Sequence, residues 1–338
     1  MASLARKWLA DRTGSSAILE RMRARRIPAN TVTHYIGAML VFLFLIEVAS
    51  GILLLLPYRP DPAHAHASLT AIVGRLPYGS LVRGIHAWAS HFFVALLIAH
   101  LAITLLLRKF REPNELIWWS GLLLLATGIG MAFTGSILPW SQNAYLQARV
   151  SSEMIGQGPL FGPWLKHLLR GGEHVSPWTL NHAFGFHTGV LPAATTLVIA
   201  VHVAIVQRRP TETTGPTIPA HPDFTLRVAA LCTALLVVLV SFATFAPIPI
   251  GTPADLREVS AADAHPPWYF LFLHELLRAA PPRLLGLESA KFILGALSIL
   301  AAFVVALPFI DRRGSRITMV VGAVFIVIIA LLTGHAVL

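Results

Sequence analysis

Residues 80–107 read SLVRGIHAWASHFFVALLIAHLAITLLL, and residues 184–206 read FGFHTGVLPAATTLVIAVHVAIV. Each stretch is apolar, long enough to cross a bilayer, and carries two histidines at nearly the same spacing. His86 and His100 are 14 residues apart; His187 and His202 are 15 apart. On an α-helix 14 residues turn through about 1400°, some 40° short of four circles, and rise about 21 Å. Fifteen residues overshoot by about 60°. Each helix therefore shows two imidazoles on one face, one near each side of a membrane. Two such helices facing each other form two imidazole clamps at two depths, paired by depth as His86–His187 and His100–His202.

A lone histidine in a helix is most often a hydrogen-bonded core residue. A matched pair in each of two spans is not, because polar groups at membrane depth are expensive and mark function. Bis-imidazole clamps at two levels are what two six-coordinate haems stacked across a membrane require. Rotation excludes the competitors: His91 lies about 140° around the helix from His86, and His182 is off the face of His187 and His202. Both are expected to be satisfied by hydrogen bonds or to lie near the interface. Gly37 and Gly51 in one flanking span, and Gly121 and Gly135 in another, repeat the 14-residue period. A glycine at each level would let a flat macrocycle approach the backbone; the plainer reading is small-residue helix packing.

Composition agrees with a membrane protein. Of 338 residues 55% are hydrophobic and 12% charged, and mean hydropathy is +0.68. Seven stretches can span: roughly 33–55, 83–107, 116–137, 184–206, 226–246, 290–310 and 317–337. In lipid these must be helices. The expected fold is an all-α integral membrane protein with seven transmembrane helices. Residues 1–30 form an amphipathic cytoplasmic surface segment without a signal-peptide core. Residues 31–210 form a four-helix di-haem bundle, and residues 211–338 a three-helix C-terminal unit. The net charge of +10 does not indicate nucleic acid, because the positive residues gather at span ends: in the N-terminal segment, RKFREP, QRRP and DRRGSR. The positive-inside rule makes that side cytoplasmic, with connections 57–82, 138–183 and 247–289 facing outward. Residues 150–170 read as short amphipathic helices, and 247–289 as a packed loop. The single cysteine, Cys232, reads as a packing residue.

With these residues in view, the chain resembles cytochrome b of the bc- and bf-type quinol oxidoreductases over nearly its whole length. The matching stretches are Gly79-Ser-Leu-Val-Arg83, Arg111-Glu-Pro-Asn-Glu115-Leu, Thr134-Gly-Ser-Ile-Leu-Pro-Trp140, Pro266-Pro-Trp-Tyr269 and Leu276-Leu-Arg278. The first four spans look like the short bf-type protein, and the last three like that complex's subunit IV, here fused. The resemblance implies a Q-cycle in a bacterial cytoplasmic membrane. Quinol is oxidised near the outer face, one electron leaving to a Rieske iron–sulfur protein and a c-type cytochrome. The other crosses through two b haems to a quinone near the inner face. It also implies a homodimeric complex embedded in membrane lipid, with Arg83 pairing with a haem propionate. A di-haem anchor of another quinone-linked dehydrogenase is the main alternative; a transporter with structural histidines is a remoter one.

The chain departs from that family in four places. The usual Pro-Glu-Trp-Tyr motif has Pro267 in the glutamate position, and a proline can take no proton. His274 or Glu275 is the expected substitute, His274 slightly ahead because imidazole titrates near neutral pH; Tyr269 would shape the pocket. Asp263 and His265 lie just upstream. Glu47 stands where the family often has glutamine, and is expected to be a protonated carboxyl near the outer haem or a structural residue. Tyr35, Ile36 and Gly37 hold no cysteine, so no covalent extra haem is expected. On the inner side His221-Pro-Asp-Phe-Thr225-Leu-Arg227 resembles the respiratory type, but Val228 aligns with an acidic quinone-site position. Arg208 and Arg209 are candidates for the inner propionates.

Overall fold

The computed structural model describes residues 8, 10–13, 15–209, 215–257, 265–284, 286–313 and 315–336. Seven helical segments among them are long and apolar enough to cross a membrane. In chain order the elements are α1 (Ser15–Ala24), β1 (Arg26–Pro28), α2 (Val32–Leu55), α3 (Ala65–Arg75), α4 (Gly79–Leu106) and α5 (Glu115–Ile137). Next come α6 (Gln142–Gly156), α7 (Gly162–Arg170), α8 (Pro177–Gly185), a π-turn (Phe186–Val190), α9 (Leu191–Arg208) and β2 (Thr217–Pro219). Then follow α10 (Thr225–Phe245), α11 (Leu271–Ala279), β3 (Arg283–Leu284), β4 (Leu287–Glu288), α12 (Ser289–Ile310) and α13 (Arg316–His335).

Five of the seven spans begin within four residues of expectation, and the fifth in order begins at Ala220, six residues before 226. The fourth departs most: it runs unbroken over Pro177–Arg208, starting seven residues before 184. Polar Asn181 and His182 hide this start in the sequence. Locally it is well specified, because Pro177 occupies the first turn, where its missing N–H costs nothing, and the Thr179 hydroxyl accepts from the Ser176 amide at 2.9 Å. The π-turn inside this span was also unforeseen. Pro192 cannot donate, and the Leu191 amide reaches back to the Phe186 carbonyl. A π-turn takes up one extra residue. It therefore turns the 60° overshoot expected for His187 and His202 into a shortfall of about 40°, and the 15-residue pair comes to match the 14-residue pair.

Loop contacts fix which ends lie together. On one side β1 pairs antiparallel with β2, Ile27 opposite Ile218, and Arg111 Nη1 approaches the Arg313 carbonyl at 3.5 Å. On the other, the His66 ring donates to the Gly251 carbonyl at 2.9 Å, and Gln142 N donates to Thr252 O at 2.8 Å. The spans therefore alternate up and down. His86 and His187 lie toward the second side; His100 and His202 lie toward the first. Gly79 opens α4 after Tyr78, whose φ is 60°; a Cβ there would lie 1.9 Å from the Ile72 carbonyl oxygen.

The helix α4 is the central post, packing against α2, α5, α10 and α13, while α9 packs against α5. Leu40, Leu43, Phe93, Leu97 and Leu239 bury the seam between α2, α4 and α10. There Gly84 lets α10 approach so closely that an added Cβ would meet the Ala243 Cβ at 3.0 Å. The last spans are joined to the bundle by a second device. Pro308 lies inside α12 and cannot donate to the carbonyl four residues back, leaving Val304 O without its helical partner. Trp118 Nε1 donates to it at 2.8 Å, and Trp119 Nε1 donates to Val305 O at 2.9 Å. Outward faces are apolar: Leu197 and Val201 on α9, and Ile317, Val324 and Leu331 on α13, are all exposed, as lipid-facing residues must be.

Candidate haem and quinol sites

The four interior histidines face a gap between α4 and α9. Among the described residues no close backbone seam joins these two helices; they approach through their imidazoles. The His86 and His187 ring centroids are 6.0 Å apart and their planes cross at 87°. A metal held by two ring nitrogens at about 2 Å each sets the centroids roughly 6 Å apart.

Hydrogen bonds orient the rings, and all go through Nδ1. His187 Nδ1 is 2.9 Å from the Met131 carbonyl. A carbonyl only accepts, so Nδ1 carries the proton and Nε2 keeps its lone pair. His202 Nδ1 is 2.8 Å from Ser120 Oγ, whose own proton goes to the Leu116 carbonyl at 2.6 Å. His86 Nδ1 lies 2.9 Å from Ser50 Oγ, which donates to the Ile46 carbonyl at 2.6 Å. It also lies 2.9 Å from Glu47 Oε2. Each of these contacts leaves Nε2 as the free base, which is how ligating histidines are prepared. His100 Nδ1 is buried without a hydrogen-bond partner among the described residues.

The glycines complete the test of fit. A Cβ built on Gly51 meets His86 Cε1 at 3.3 Å, and one on Gly135 meets His187 Cε1 at 2.6 Å. On Gly37 the nearest atom is His100 Cε1 at 3.8 Å, and on Gly121 it is His202 Cε1 at 3.7 Å. All four periodic glycines thus face an imidazole, one each. Packing glycines behave differently: a Cβ on Gly128, midway along α5, would meet Leu97 Cδ1 at 2.5 Å. The residues present fit two flat macrocycles, one per level. Sequence reasoning missed Ser50, Ser120 and the Met131 carbonyl. The serines had a signal, since each stands immediately before a periodic glycine, as Ser50-Gly51 and Ser120-Gly121.

The off-face histidines are satisfied elsewhere. His91 Nδ1 accepts from Trp268 Nε1 at 3.0 Å, tying the Pro-Pro-Trp-Tyr loop to α4. His182 Nδ1 donates to the Leu168 carbonyl at 3.0 Å. Arg83, at the His86 end, donates through Nη1 to the Ile248 carbonyl, which leaves the rest of its five-donor fork for other partners. Cys232 is buried, as expected of a packing residue.

Beyond the bundle, on the His86 side, a cavity of about 130 Å³ is lined by Ser151, Met154 and Ile155 of α6, Phe270 and Leu273 near and on α11, and Leu294 of α12. A buried guanidinium fixes α6 here: Arg170 Nε donates to Ser152 Oγ at 2.7 Å, and Nη1 lies 2.9 Å from Glu153 Oε1. Tyr269 is buried and its hydroxyl has no hydrogen-bond partner among the described residues; burial pushes its pKa up. His274 and Glu275 lie beside this cavity rather than among its lining side chains. Glu275 is committed to Arg278, whose Nη2 is 2.7 Å from Oε2. That guanidinium holds the carboxyl below its ordinary range. His274 Nδ1 is buried and 3.6 Å from Glu275 Oε1, too long for a hydrogen bond. Its ring packs against His265, centroids 5.7 Å apart. Asp263 lies outside the described residues.

Comparison with known proteins gives the same outline. Residues 23–209 match the family model described as Cytochrome b/b6/petB, and residues 253–338 the one described as Cytochrome b(C-terminal)/b6/petD. The chain is 30% identical to the cytochrome bc complex cytochrome b subunit of Chlorobaculum thiosulfatiphilum, covering 88% of this chain and 71% of that one. It is 28% identical to cytochrome b of Rickettsia conorii, covering 92% and 79%. A chain of a solved hyperthermophilic respiratory Complex III superposes with a TM-score of 0.84 at 26% identity, covering 98% of this chain and 91% of that one.

Proposed function

This chain belongs to the cytochrome b/b6 family, and from that premise we propose that it is the membrane-embedded electron-carrying subunit of a bc-type quinol:cytochrome c oxidoreductase, working by a Q-cycle. The observation that carries the proposal is the set of Nδ1 hydrogen bonds at His86, His187 and His202, which leave Nε2 of those rings as the free base. His86 with His187 holds the outer haem, and His100 with His202 the inner one. Gly51 and Gly135, and Gly37 and Gly121, supply the clearance, and Arg83 meets an outer propionate. When bound, the two b haems supply one-electron relays between a quinol site at the outer face and a quinone site at the inner face.

The residues do the positioning and proton handling. The cavity against α6 and α11 takes the quinol ring, and Tyr269, buried next to the lining residue Phe270, helps to shape that region. His274 accepts the proton that Pro267 cannot; it has an unpartnered ring nitrogen, whereas Glu275 is already neutralised by Arg278. Electrons leave outward to a Rieske iron–sulfur protein and a c-type cytochrome, in a homodimeric complex in a bacterial cytoplasmic membrane with the N-terminus inside. The 31–210 bundle carries the haems, and the 211–338 unit completes the quinol site.

The test is a pyridine haemochrome assay with quinol:cytochrome c activity on the purified complex. Two haems b per chain and quinol-dependent reduction of cytochrome c are expected. Haem without quinol turnover would favour a dehydrogenase anchor; absence of haem would end the proposal.

A further inference from the structure

The four candidate ligands differ in what holds Nδ1. His187 has a carbonyl, His202 a serine hydroxyl, and His100 no partner among the described residues. Only His86 has a carboxyl: Glu47 Oε2 lies 2.9 Å from its Nδ1. Both side chains are largely buried, 16% and 21% exposed. Glu47 Oε1 is buried and has no hydrogen-bond partner among the described residues, so the carboxyl is directed at this ring. An ionisable residue in a span is costly and is retained for a reason; read from sequence as a protonated carboxyl, Glu47 instead has a ring nitrogen 2.9 Å away whose N–H it can accept as a carboxylate.

We infer that the Glu47 carboxylate is a positioning and tuning residue of the outer site, biasing the iron held by His86 and His187 toward its oxidised state. The inference rests on the reading that this couple binds a haem. With Nε2 committed to iron, Nδ1 keeps its proton and Glu47 Oε2 accepts it. A carboxylate draws that proton harder than a hydroxyl or a carbonyl does, which raises the basicity of Nε2. A more basic ligand and a nearby negative charge both favour the more positive iron. Among the described residues no carboxyl meets the Nδ1 of His100 or His202, and Ser120 is the neutral counterpart at His202.

The experiment is an anaerobic redox titration of the haem absorption in the purified complex, comparing wild type, Glu47→Gln, Ser50→Ala and Ser120→Ala. Glutamine keeps an acceptor of the same length and removes the charge. Glu47→Gln is expected to shift one of the two components at least tenfold toward reduction, which is 59 mV for a one-electron couple, with the other unmoved and two haems retained. Ser120→Ala is expected to move only the other component. Two intact components that both stay put in Glu47→Gln, or that move together, overturn the inference. If Glu47→Gln loses the outer haem, Ser50→Ala decides. It leaves Glu47 as the only acceptor at His86, so the outer component must fall; no change or a rise overturns the inference. A wild-type protein without two haem components would overturn the functional reading and this inference together.

Discussion

In the bundle three of the four candidate ligands are fixed by hydrogen bonds to adjacent helices, whereas in the outer loop region the polar groups are fixed by one another. His187 is held by the backbone of α5, His202 by Ser120 and His86 by α2, and the glycine facing each ring is also on a flanking span. Around α11, Glu275 is held by Arg278 three residues on, and His274 packs against His265. Rigid spans give positions that tolerate little change. A loop that braces itself tolerates exchange of side chains more easily, and Pro267 stands where the family's usual motif has glutamate. Several substitutions can break or sharpen this contrast.

The largest effect is expected at a ligand. His187→Leu should cut haem b from two to one per chain in a pyridine haemochrome assay and bring quinol:cytochrome c turnover to background. Retention of both haems would remove His187 from the clamp. Next is the cradle. In Gly135→Val the branched side chain must displace a ring that already lies 2.6 Å from a bare Cβ. Haem content should fall toward one per chain, with an overpacking cost of about 1–3 kcal/mol. Gly128→Ala meets the end of Leu97 at 2.5 Å and the Phe93 ring at 3.2 Å, and no imidazole, so it should lower thermal stability while keeping both haems. Equal haem loss in the two variants would mean that the periodic glycines serve packing alone.

In the loop region the effects should be smaller and graded. His274→Phe should slow quinol oxidation by about 10²-fold, the lower end for a lost acid–base group, with both haems retained. Wild-type turnover would exclude His274 as the proton acceptor. Glu275→Gln should change the rate little. Its signature is in stability: a carboxyl whose folded pKa lies below its unfolded value of about 4.3 stabilises the fold above that value. The contribution disappears as pH falls through the lower folded pKa. The difference in melting temperature between wild type and Glu275→Gln should be constant and small near neutrality, since Arg278 is 65% exposed, and should vanish only below about pH 4. A difference that vanishes near pH 6 would contradict the ion pair.

The same contrast explains what could be read from the sequence. Spans, histidine pairs and periodic glycines obey a helical period, so their faces follow from counting residues. The π-turn broke that count, because a proline's missing donor acts on hydrogen bonds rather than on hydrophobic pattern. The start at Pro177 was hidden for a similar reason: capping overrides local polarity. The Met131 carbonyl was missed because a hydrogen bond to the backbone of another helix has no linear signature, whereas Ser50 and Ser120 had only their place before a periodic glycine to mark them. Glu47 was legible as an oddity but not as a partner of His86. In the loop region, the commitment of Glu275 to Arg278 is a local i,i+3 contact that the spacing could have suggested. That His274 lies beside rather than in the cavity depends on how α11 meets α6 and α12, which only the folded chain specifies.

The central claim is that imidazole nitrogens from α4 and α9 grip iron at two heights. A density map of the purified complex tests it directly. The account predicts one flat macrocycle between His86 and His187 and another between His100 and His202, each with both Nε2 atoms on the metal. Lipid or packed side chains in those gaps, or His91 or His182 on an iron, would contradict it.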